Sequence, residues 1–304
     1  MVERDPRLEP EGGRPSRRAI LLRRTAASVV LLGILAVVGL ASASFLREDD
    51  PPPPPTETVP ALARLRIIFP EGFTRRELAD RVAAVREIAI HKRDVTPRLT
   101  RSGYLQATAG AKPPAAFRKD WGGRSIEGFL FPSTYEFSQF TPSAGLVRDQ
   151  LEHFRRQWEK VDLRYARSKN LTPYDVLIIA SMIEKETVAP EERRLVAAVV
   201  YNRLRQGMPL GIDATIRYGR DVPGTEPLKQ SDIDSDDPYN TRNRLGLPPT
   251  PISNPGLASM RAAAAPARVD YLYFVRKPDG VHHFFTASEP EFCRKSLEYG
   301  FGGC

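Results

Sequence analysis

The chain has 304 residues, of which 41% are hydrophobic and 27% charged, a composition typical of a globular protein and unlike that of a disordered one. Its net charge of +8 indicates an anionic neighbour, such as anionic lipid, an acidic wall polymer or nucleic acid. Because the basic residues are interspersed with acidic ones and form no recognisable nucleic-acid-binding module, we expect no nucleic-acid partner. Two cysteines, Cys293 and Cys304, are too few for a disulfide framework or a zinc site, and either one bridge or two free thiols fits them.

A long uncharged segment follows an arginine-rich N-terminus. Residues 1–25 form a polar tail, and residues 26–46 carry no charge over about the twenty residues that a membrane-spanning helix needs. Positive charge before the segment and acidic residues after it predict a single-pass anchor in the cytoplasmic membrane, with the N-terminus in the cytoplasm and the remainder outside. A cleaved signal peptide is the alternative, since Ala41-Ser-Ala43 fits a cleavage site. The length of the tail and of the apolar run favours the anchor.

A linker and a small module come next. Residues 47–60 contain an unbroken proline run, Pro51 to Pro55, which predicts an extended polyproline II spacer. Within residues 61–106, Leu65 to Phe69 reads as a strand, and Thr74 with Glu77 forms the pattern of a capping box that opens a helix to about Ala89. Residues 107–304 are then predicted to form a larger domain.

The larger domain contains an apolar helix that ends in two glutamates. Thr172 is a good N-cap, Pro173 suits the first helical position, and Asp175 completes a capping box, so the helix is predicted over Pro173 to Thr187. Further helices are predicted over Leu146 to Lys160, Ala197 to Leu204 and Ala258 to Ala264. Residues 232–255 read as a binding loop, and two strands joined at Lys277 to Gly280 as a hairpin.

Glu186 is the candidate general acid of this helix. Counting back by three, four and seven residues places it on one face with Ile183, Met182 and Ile179. A carboxyl group held against apolar neighbours has a raised pKa and keeps a proton to donate near neutral pH. The alternative is that Glu184 and Glu186 are the solvated end of a buried helix.

Several blocks, taken in order and spacing, resemble the endolytic murein transglycosylases of the MltG (YceG-like) family. The blocks are Glu127-Gly-Phe-Leu-Phe-Pro-Ser-Thr-Tyr-Glu-Phe137, Ala180-Ser-Met-Ile-Glu-Lys-Glu-Thr187, Val200-Tyr-Asn-Arg-Leu204, Asp213-Ala-Thr215 with Tyr218, Tyr239-Asn-Thr241, Gly246-Leu-Pro-Pro249, Ile252-Ser-Asn-Pro-Gly256, Tyr271-Leu-Tyr-Phe-Val275 and His282-His-Phe284. The catalytic glutamate of the family is the second of the Glu-Lys-Glu-Thr block, which falls on Glu186.

The resemblance implies an α+β protein with a single-pass anchor, a small LysM-like module over residues 61–106, and a mainly helical, lysozyme-like catalytic domain with a C-terminal β-hairpin. It implies a lyase that cuts MurNAc-β-1,4-GlcNAc bonds within nascent peptidoglycan strands, gives 1,6-anhydro-MurNAc ends and ends glycan elongation, without metal or cofactor. Implied partners are glycan strands, the lipid around Ala26–Leu46, and peptidoglycan synthases. The motif positions offered for sugar binding are Asn202, Asp213, Tyr218, Tyr239, Asn240 and Asn254.

Two departures from the family pattern lie near the site, since Gly211 stands where glutamine is usual and Ala214 where proline is usual. Two other functions stay open. A non-enzymatic wall-binding scaffold could hold glycan in the same groove, and a hydrolase could pair Glu186 with a second carboxylate, for which Asp213 and Glu184 are the nearest choices. His282 is expected to be structural.

Overall fold

The computed structural model describes residues 64–302, together with Val29, Leu32, Gly33, Leu35 and Ala36, which are helical and exposed. Apart from those five residues, the predicted tail, anchor and linker lie outside the described residues, and the anchor stays a prediction. No helix within the described part of the chain is long and apolar enough to cross a membrane. The chain divides after Ala61, and Leu62–Cys304 forms one compact unit.

Two small antiparallel sheets are present in this unit. Strand β1 (Leu65–Ile68) pairs with β2 (Thr134–Phe137), with Leu65 opposite Phe137. Alternate residues of both strands are buried, as expected for a sheet with one face on the core. Strands β3 (Tyr273–Arg276) and β4 (His283–Thr286) form the C-terminal hairpin, and this prediction is confirmed.

Three helices and a 3-10 turn lie between β1 and β2. They are α1 (Arg75–Arg93), α2 (Arg101–Ala109), the turn Ala115–Phe117 and α3 (Arg118–Trp121). The capping box of α1 is present, since Thr74 Oγ1 accepts the Glu77 N–H at 3.2 Å and Glu77 Oε2 accepts the Thr74 N–H at 2.7 Å. The helix continues four residues past the predicted end, to Arg93. Helix α2 was not predicted.

The rest of the unit is mostly helical, so the α+β class is confirmed. The elements after β2 are α4 (Ser143–Trp158), α5 (Arg164–Ser168), α6 (Pro173–Glu186), a 3-10 turn (Pro190–Glu192), α7 (Arg193–Gln206), α8 (Asp213–Arg220), α9 (Gln230–Ile233), α10 (Leu257–Ala264) and, after β4, α11 (Glu289–Glu298). Helix α6 lies in the core, with every residue from Val176 to Ile183 buried, and it packs against α7, α8 and α10.

The hydrophobic core is continuous across the predicted boundary near residue 107, and the domain bounds stay a prediction. Leu65 and Ile67 of β1 belong to the same hydrophobic cluster as Leu177 and Ile179 of α6. The physical reason is that β1 needs a partner strand for its backbone hydrogen bonds, and β2 supplies it from beyond the predicted boundary. The LysM-like and lysozyme-like characters of the two parts stay predictions.

Candidate active site

Glu186 is the last residue of α6 and lies where the core meets solvent. Thr187 leaves the helix with extended backbone angles, φ −107° and ψ 125°. Ile179, Met182 and Ile183 are fully buried, which confirms the predicted apolar face. The Glu186 side chain itself stays partly exposed. A ligand can therefore reach a carboxyl group that has apolar protein behind it.

The surroundings of Glu186 raise its pKa to about 7, chiefly through burial and then through the negative charge of Asp213. Arg276, the backbone N–H of Ala214 and Arg242 act in the opposite direction. The C-terminal end of a helix also carries partial negative charge, which disfavours an anion there. Near neutral pH both protonation states of this carboxyl group are populated, as a group that gives and takes a proton requires.

Helix α8 brings Asp213 and the Ala214 N–H to the site. Asp213 is the first residue of α8, so the N-terminus of this helix faces the C-terminus of α6. The Asp213 carboxylate is bound by Arg242, whose Nη2 lies 2.7 Å from Oδ1. Both side chains keep nearly half of their surface exposed, at 48% for Asp213 and 44% for Arg242, so solvent and ligand can reach the pair.

The C-terminal hairpin brings Arg276 to the same site. Glu192, in the turn that follows α6, accepts the His283 backbone N–H at 2.9 Å through Oε1, and its Oε2 lies 2.7 Å from His283 Nδ1. This pair is buried. His283 is opposite Arg276 in the β3–β4 ladder, and side chains opposite each other lie on the same face. The Glu192–His283 pair therefore fixes the hairpin, and Arg276 with it, beside the end of α6.

Glu184 has a different role from Glu186. Its side chain is only 6% exposed and lies 3.8 Å from Arg193, and its Oε2 accepts the Gly256 N–H at 2.9 Å. Glu71 lies close by, and burial together with the negative charge of Glu184 raises the Glu71 pKa. Glu184 thus belongs to a buried polar cluster that joins α6 to α7 and α10, and it is not at the solvated end of the helix.

Glu127, the first residue of the aromatic block, is a second buried carboxylate. Its two oxygens accept the Arg75 backbone N–H at 2.8 and 3.0 Å, at the N-terminus of α1. The Tyr218 hydroxyl donates to Oε2 at 3.2 Å, and Asn254 Nδ2 donates to Oε1 at 2.6 Å. Burial nevertheless raises the pKa of Glu127 to about 7. The carboxylate ties α1, α8 and the segment before α10 together.

The three asparagines predicted to bind sugar are all buried and bonded to protein. Asn254 Oδ1 accepts the Gly128 and Leu130 N–H groups at 3.0 and 2.9 Å. Asn240 Nδ2 donates to the carbonyls of Ile233 and Ser235, and Asn202 Nδ2 to those of Val269 and Tyr271. These amides hold loops in place, and their contact with a sugar stays a prediction.

The other three residues predicted to bind sugar, Asp213, Tyr218 and Tyr239, are partly exposed. The ring centroids of Tyr218 and Tyr239 lie 5.1 Å apart, and the Tyr239 hydroxyl lies 2.8 Å from Thr250 Oγ1. Of the six predicted residues, Asp213 alone is among the main influences on the Glu186 pKa.

A pocket of about 650 Å³ is lined by Asn202 with Tyr165, Tyr201 and Tyr271, and Glu186 does not line it.

Sequence reasoning missed four residues of this region, namely Arg242, Arg276, Glu192 and Glu127. Arg242 directly follows the Tyr239-Asn-Thr241 block and Arg276 directly follows the β3 block, so extending each block by one residue would have included them. Glu127 was noted as part of an aromatic block, without a role of its own. Among residues 64–302 no group of three or more potential ligands is arranged to hold a metal ion.

Comparison with known proteins places this site in a family. Residues 54–296 match the model of the YceG-like family. The endolytic murein transglycosylase of Streptococcus pneumoniae is 33% identical over 259 residues, which cover 79% of this chain and 45% of that protein. The protein of the same name from Bacillus subtilis is 35% identical over 156 residues, which cover 51% of this chain and 43% of that protein. The chain thus spans less than half the length of these relatives.

A solved structure agrees with the sequence comparison. The crystal structure of a yceG-like protein from Listeria monocytogenes superposes with a TM-score of 0.65 at 28% identity, covering 76% of this chain and 75% of that one. The family match covers most of the chain and includes every element that carries the site. The chain therefore belongs to the YceG-like family.

Proposed function

We propose that this protein is a lytic transglycosylase that cleaves MurNAc-β-1,4-GlcNAc bonds within peptidoglycan strands. The observation that carries the proposal is the partly exposed carboxyl group of Glu186, which lies at the end of a buried helix and has a pKa raised to about 7. The relatives named endolytic murein transglycosylase support the substrate and the reaction.

In this mechanism Glu186 acts first as an acid and then as a base. It donates its proton to the oxygen that links MurNAc C1 to GlcNAc C4, and that C1–O bond breaks. The 6-hydroxyl of the same MurNAc then attacks C1, and its proton passes to the Glu186 carboxylate. The products are a 1,6-anhydro-MurNAc end and a free GlcNAc 4-hydroxyl, with no water consumed and the enzyme returned to its starting state.

A hydrolase that works through two carboxylates is the second candidate, and Asp213 is the observation that favours it. Asp213 lies near enough to Glu186 to raise its pKa, and retaining and inverting glycosidases both place a second carboxylate across the scissile bond. The ion pair between Asp213 and Arg242 disfavours the hydrolase, because Asp213 would have to act on water or on the sugar while it is paired with the arginine. A scaffold that binds glycan without cutting it does not need a carboxyl group whose pKa is raised to near neutral pH.

The products of digestion separate these functions. Uncrosslinked glycan strands are digested and the fragments are analysed by mass spectrometry, with and without a chelator. A lytic transglycosylase gives 1,6-anhydro ends, each lighter by one water than a hydrolysed end, and keeps its activity in chelator. A hydrolase gives reducing MurNAc ends, and a scaffold releases nothing. Fragments of mixed length early in the digest support cutting within strands, whereas disaccharide alone indicates cutting from an end.

The membrane topology belongs to the same proposal. The protein is held in the cytoplasmic membrane by residues 26–46, where it ends the elongation of nascent strands beside peptidoglycan synthases. The arginines before residue 26 and the acidic residues after residue 46 support this orientation. A reporter fused after Thr56 should lie outside the cytoplasm. A soluble mature form that begins near Ser44 would instead support a cleaved signal peptide.

A further inference from the structure

Arg276 differs from the other arginine of the site in having no acidic partner. Arg242 is held by Asp213, whereas Arg276 is exposed and forms no ion pair with any residue of the described part of the chain. The acids nearest to the hairpin are engaged elsewhere, since Glu192 pairs with His283 while Glu191 and Asp279 pair with His282. The Glu192–His283 pair nonetheless holds the strand that carries Arg276 firmly beside the end of α6.

The positive charge of Arg276 opposes the action of Glu186 as an acid. Arg276 is the strongest influence that lowers the pKa of Glu186, so it favours the anionic form that cannot donate a proton. A guanidinium group that has free donors and is carried by a held strand suits one class of ligand well, because its planar fork matches the geometry of a carboxylate. Peptidoglycan supplies carboxylates on its stem peptides and, where a MurNAc carries no stem, on the lactyl group.

We propose that Arg276 binds a carboxylate of the glycan substrate and so makes the site selective for acidic over neutral glycans. The inference rests on the proposed function and names the feature of the substrate that the site recognises. It has a second consequence for the acid. When a substrate carboxylate pairs with Arg276, the influence of the guanidinium group on Glu186 is offset, and the Glu186 pKa rises on binding.

The first test measures binding without cleavage, in the full-length Glu186→Gln variant. The probes are a GlcNAc-MurNAc oligosaccharide with free lactyl carboxylates, the same oligosaccharide with those carboxylates amidated, strands that carry stem peptides, and a chitin oligosaccharide of equal length. We expect about fivefold tighter binding of a carboxylate-bearing probe, the size typical of a partly solvated ion pair. Preference for the first probe identifies the lactyl group as the source, and preference for the peptide-bearing strands alone identifies the stem.

Variants at Arg276 decide whether this residue is responsible. Arg276→Gln should abolish the preference, Arg276→Lys should keep part of it, and Arg261→Gln, which removes an exposed arginine of α10, should leave it intact. Thermal melting of each variant checks that the fold is kept. The inference is overturned if the Glu186→Gln protein binds neither the free-lactyl oligosaccharide nor the peptide-bearing strands more tightly than the amidated and chitin probes, or if the preference survives in Arg276→Gln.

The second test uses the active enzyme. The pH profile of kcat/KM reports the pKa of the free enzyme and that of kcat the pKa of the complex. Since Glu186 must be protonated to act, activity falls as pH rises through its pKa. We expect the basic limb of kcat to lie at higher pH than that of kcat/KM, and the two limbs to coincide in Arg276→Gln. Coincident limbs in the unaltered enzyme would overturn the inference. An enzyme that forms no anhydro ends would contradict the proposed function instead.

Discussion

Arg242 donates its Nε–H to Asp213 Oδ1 at 2.8 Å, and its Nη2 lies 2.7 Å from the same oxygen. This arrangement leaves the second carboxylate oxygen of Asp213 free of Arg242. The negative charge of Asp213 beside Glu186 supports the raised pKa of the acid.

Replacing Asp213 tests whether it tunes the acid or takes part in the chemistry. In Asp213→Asn the negative charge is lost and Arg242 is left unpaired, and both changes lower the pKa of Glu186. Because the acid must be protonated, the basic limb of the pH profile should move to lower pH, with activity retained on its acid side. A pH profile of anhydro-end formation measures this. Loss of activity by about a hundredfold at every pH would show that Asp213 is itself a base or nucleophile.

Glu186→Gln should abolish cleavage while leaving the fold intact. The amide keeps the shape of the side chain but cannot donate the proton, so the rate should fall by at least the factor of about a hundred that general acid catalysis supplies. Fragment release from glycan strands and thermal melting together measure activity and stability.

Glu184→Gln is the matched control, since it makes the same change two residues earlier in α6. It leaves Arg193 without its buried carboxylate, so we expect lower stability, by up to about 3 kcal/mol for a broken buried pair. Activity at low temperature should be nearly normal. Equal loss of activity in the two variants would contradict the separate roles.

Glu127 should make the protein less stable as pH rises. Its pKa is raised in the folded state from 4.5 to about 7, so the folded protein binds more protons than the unfolded chain between these values. That stability is fully present below pH 4.5 and is lost as pH rises to about 7, a change of about 3 kcal/mol.

Chemical denaturation at several pH values measures the effect of Glu127. Glu186, with a similar pKa, contributes to the same fall in the free energy of unfolding. Glu127→Gln should therefore remove the share of the fall that Glu127 causes and leave the part contributed by Glu186 and by Glu71, whose pKa is also raised. An unchanged slope in the variant would mean that Glu127 does not titrate in this range.

Tyr218→Phe should move the pH dependence that Glu127 causes to higher pH. The hydroxyl of Tyr218 stabilises the anion of Glu127, so its removal raises the pKa of Glu127 further. Above pH 7 the variant should be less stable by about 1.5–3 kcal/mol, the cost of a lost hydrogen bond to a charged group. Tyr239→Phe, which loses a bond to Thr250, is the control and should leave the pH dependence unchanged.

The parts of the fold that the sequence predicted are those encoded by neighbouring residues. The capping boxes at Thr74 and Thr172 are present, as is the hairpin after Tyr271. Pairing of β1 with β2 was not predictable, since no local pattern relates Leu65 to Phe137. The partner of a strand in a long-range pair depends on how the whole core packs, and the local pattern of a single sequence does not contain that information.

The candidate site likewise combines a part that neighbouring residues encode with a part that depends on long-range contacts. Glu186 could be singled out because the apolar residues on its face and the family block both lie within one helix. The groups that set its pKa come from α8, the loop after α9 and the hairpin, and only the folded chain brings them together. The different partners of Glu184 and Glu186, Arg193 for one and the start of α8 for the other, appear only in the structure.

The pairing of β1 with β2 also sets an order of events during synthesis. The ribosome releases the polypeptide from its N-terminus, so β1 emerges long before β2 exists and has an unpaired edge until then. The Asn254 amide, which binds the Phe73 carbonyl at 2.9 Å, emerges later still. Residues 61–106 released alone should therefore remain largely unfolded and open to proteases, and protection of this segment should appear only once a nascent chain has extended past Asn254.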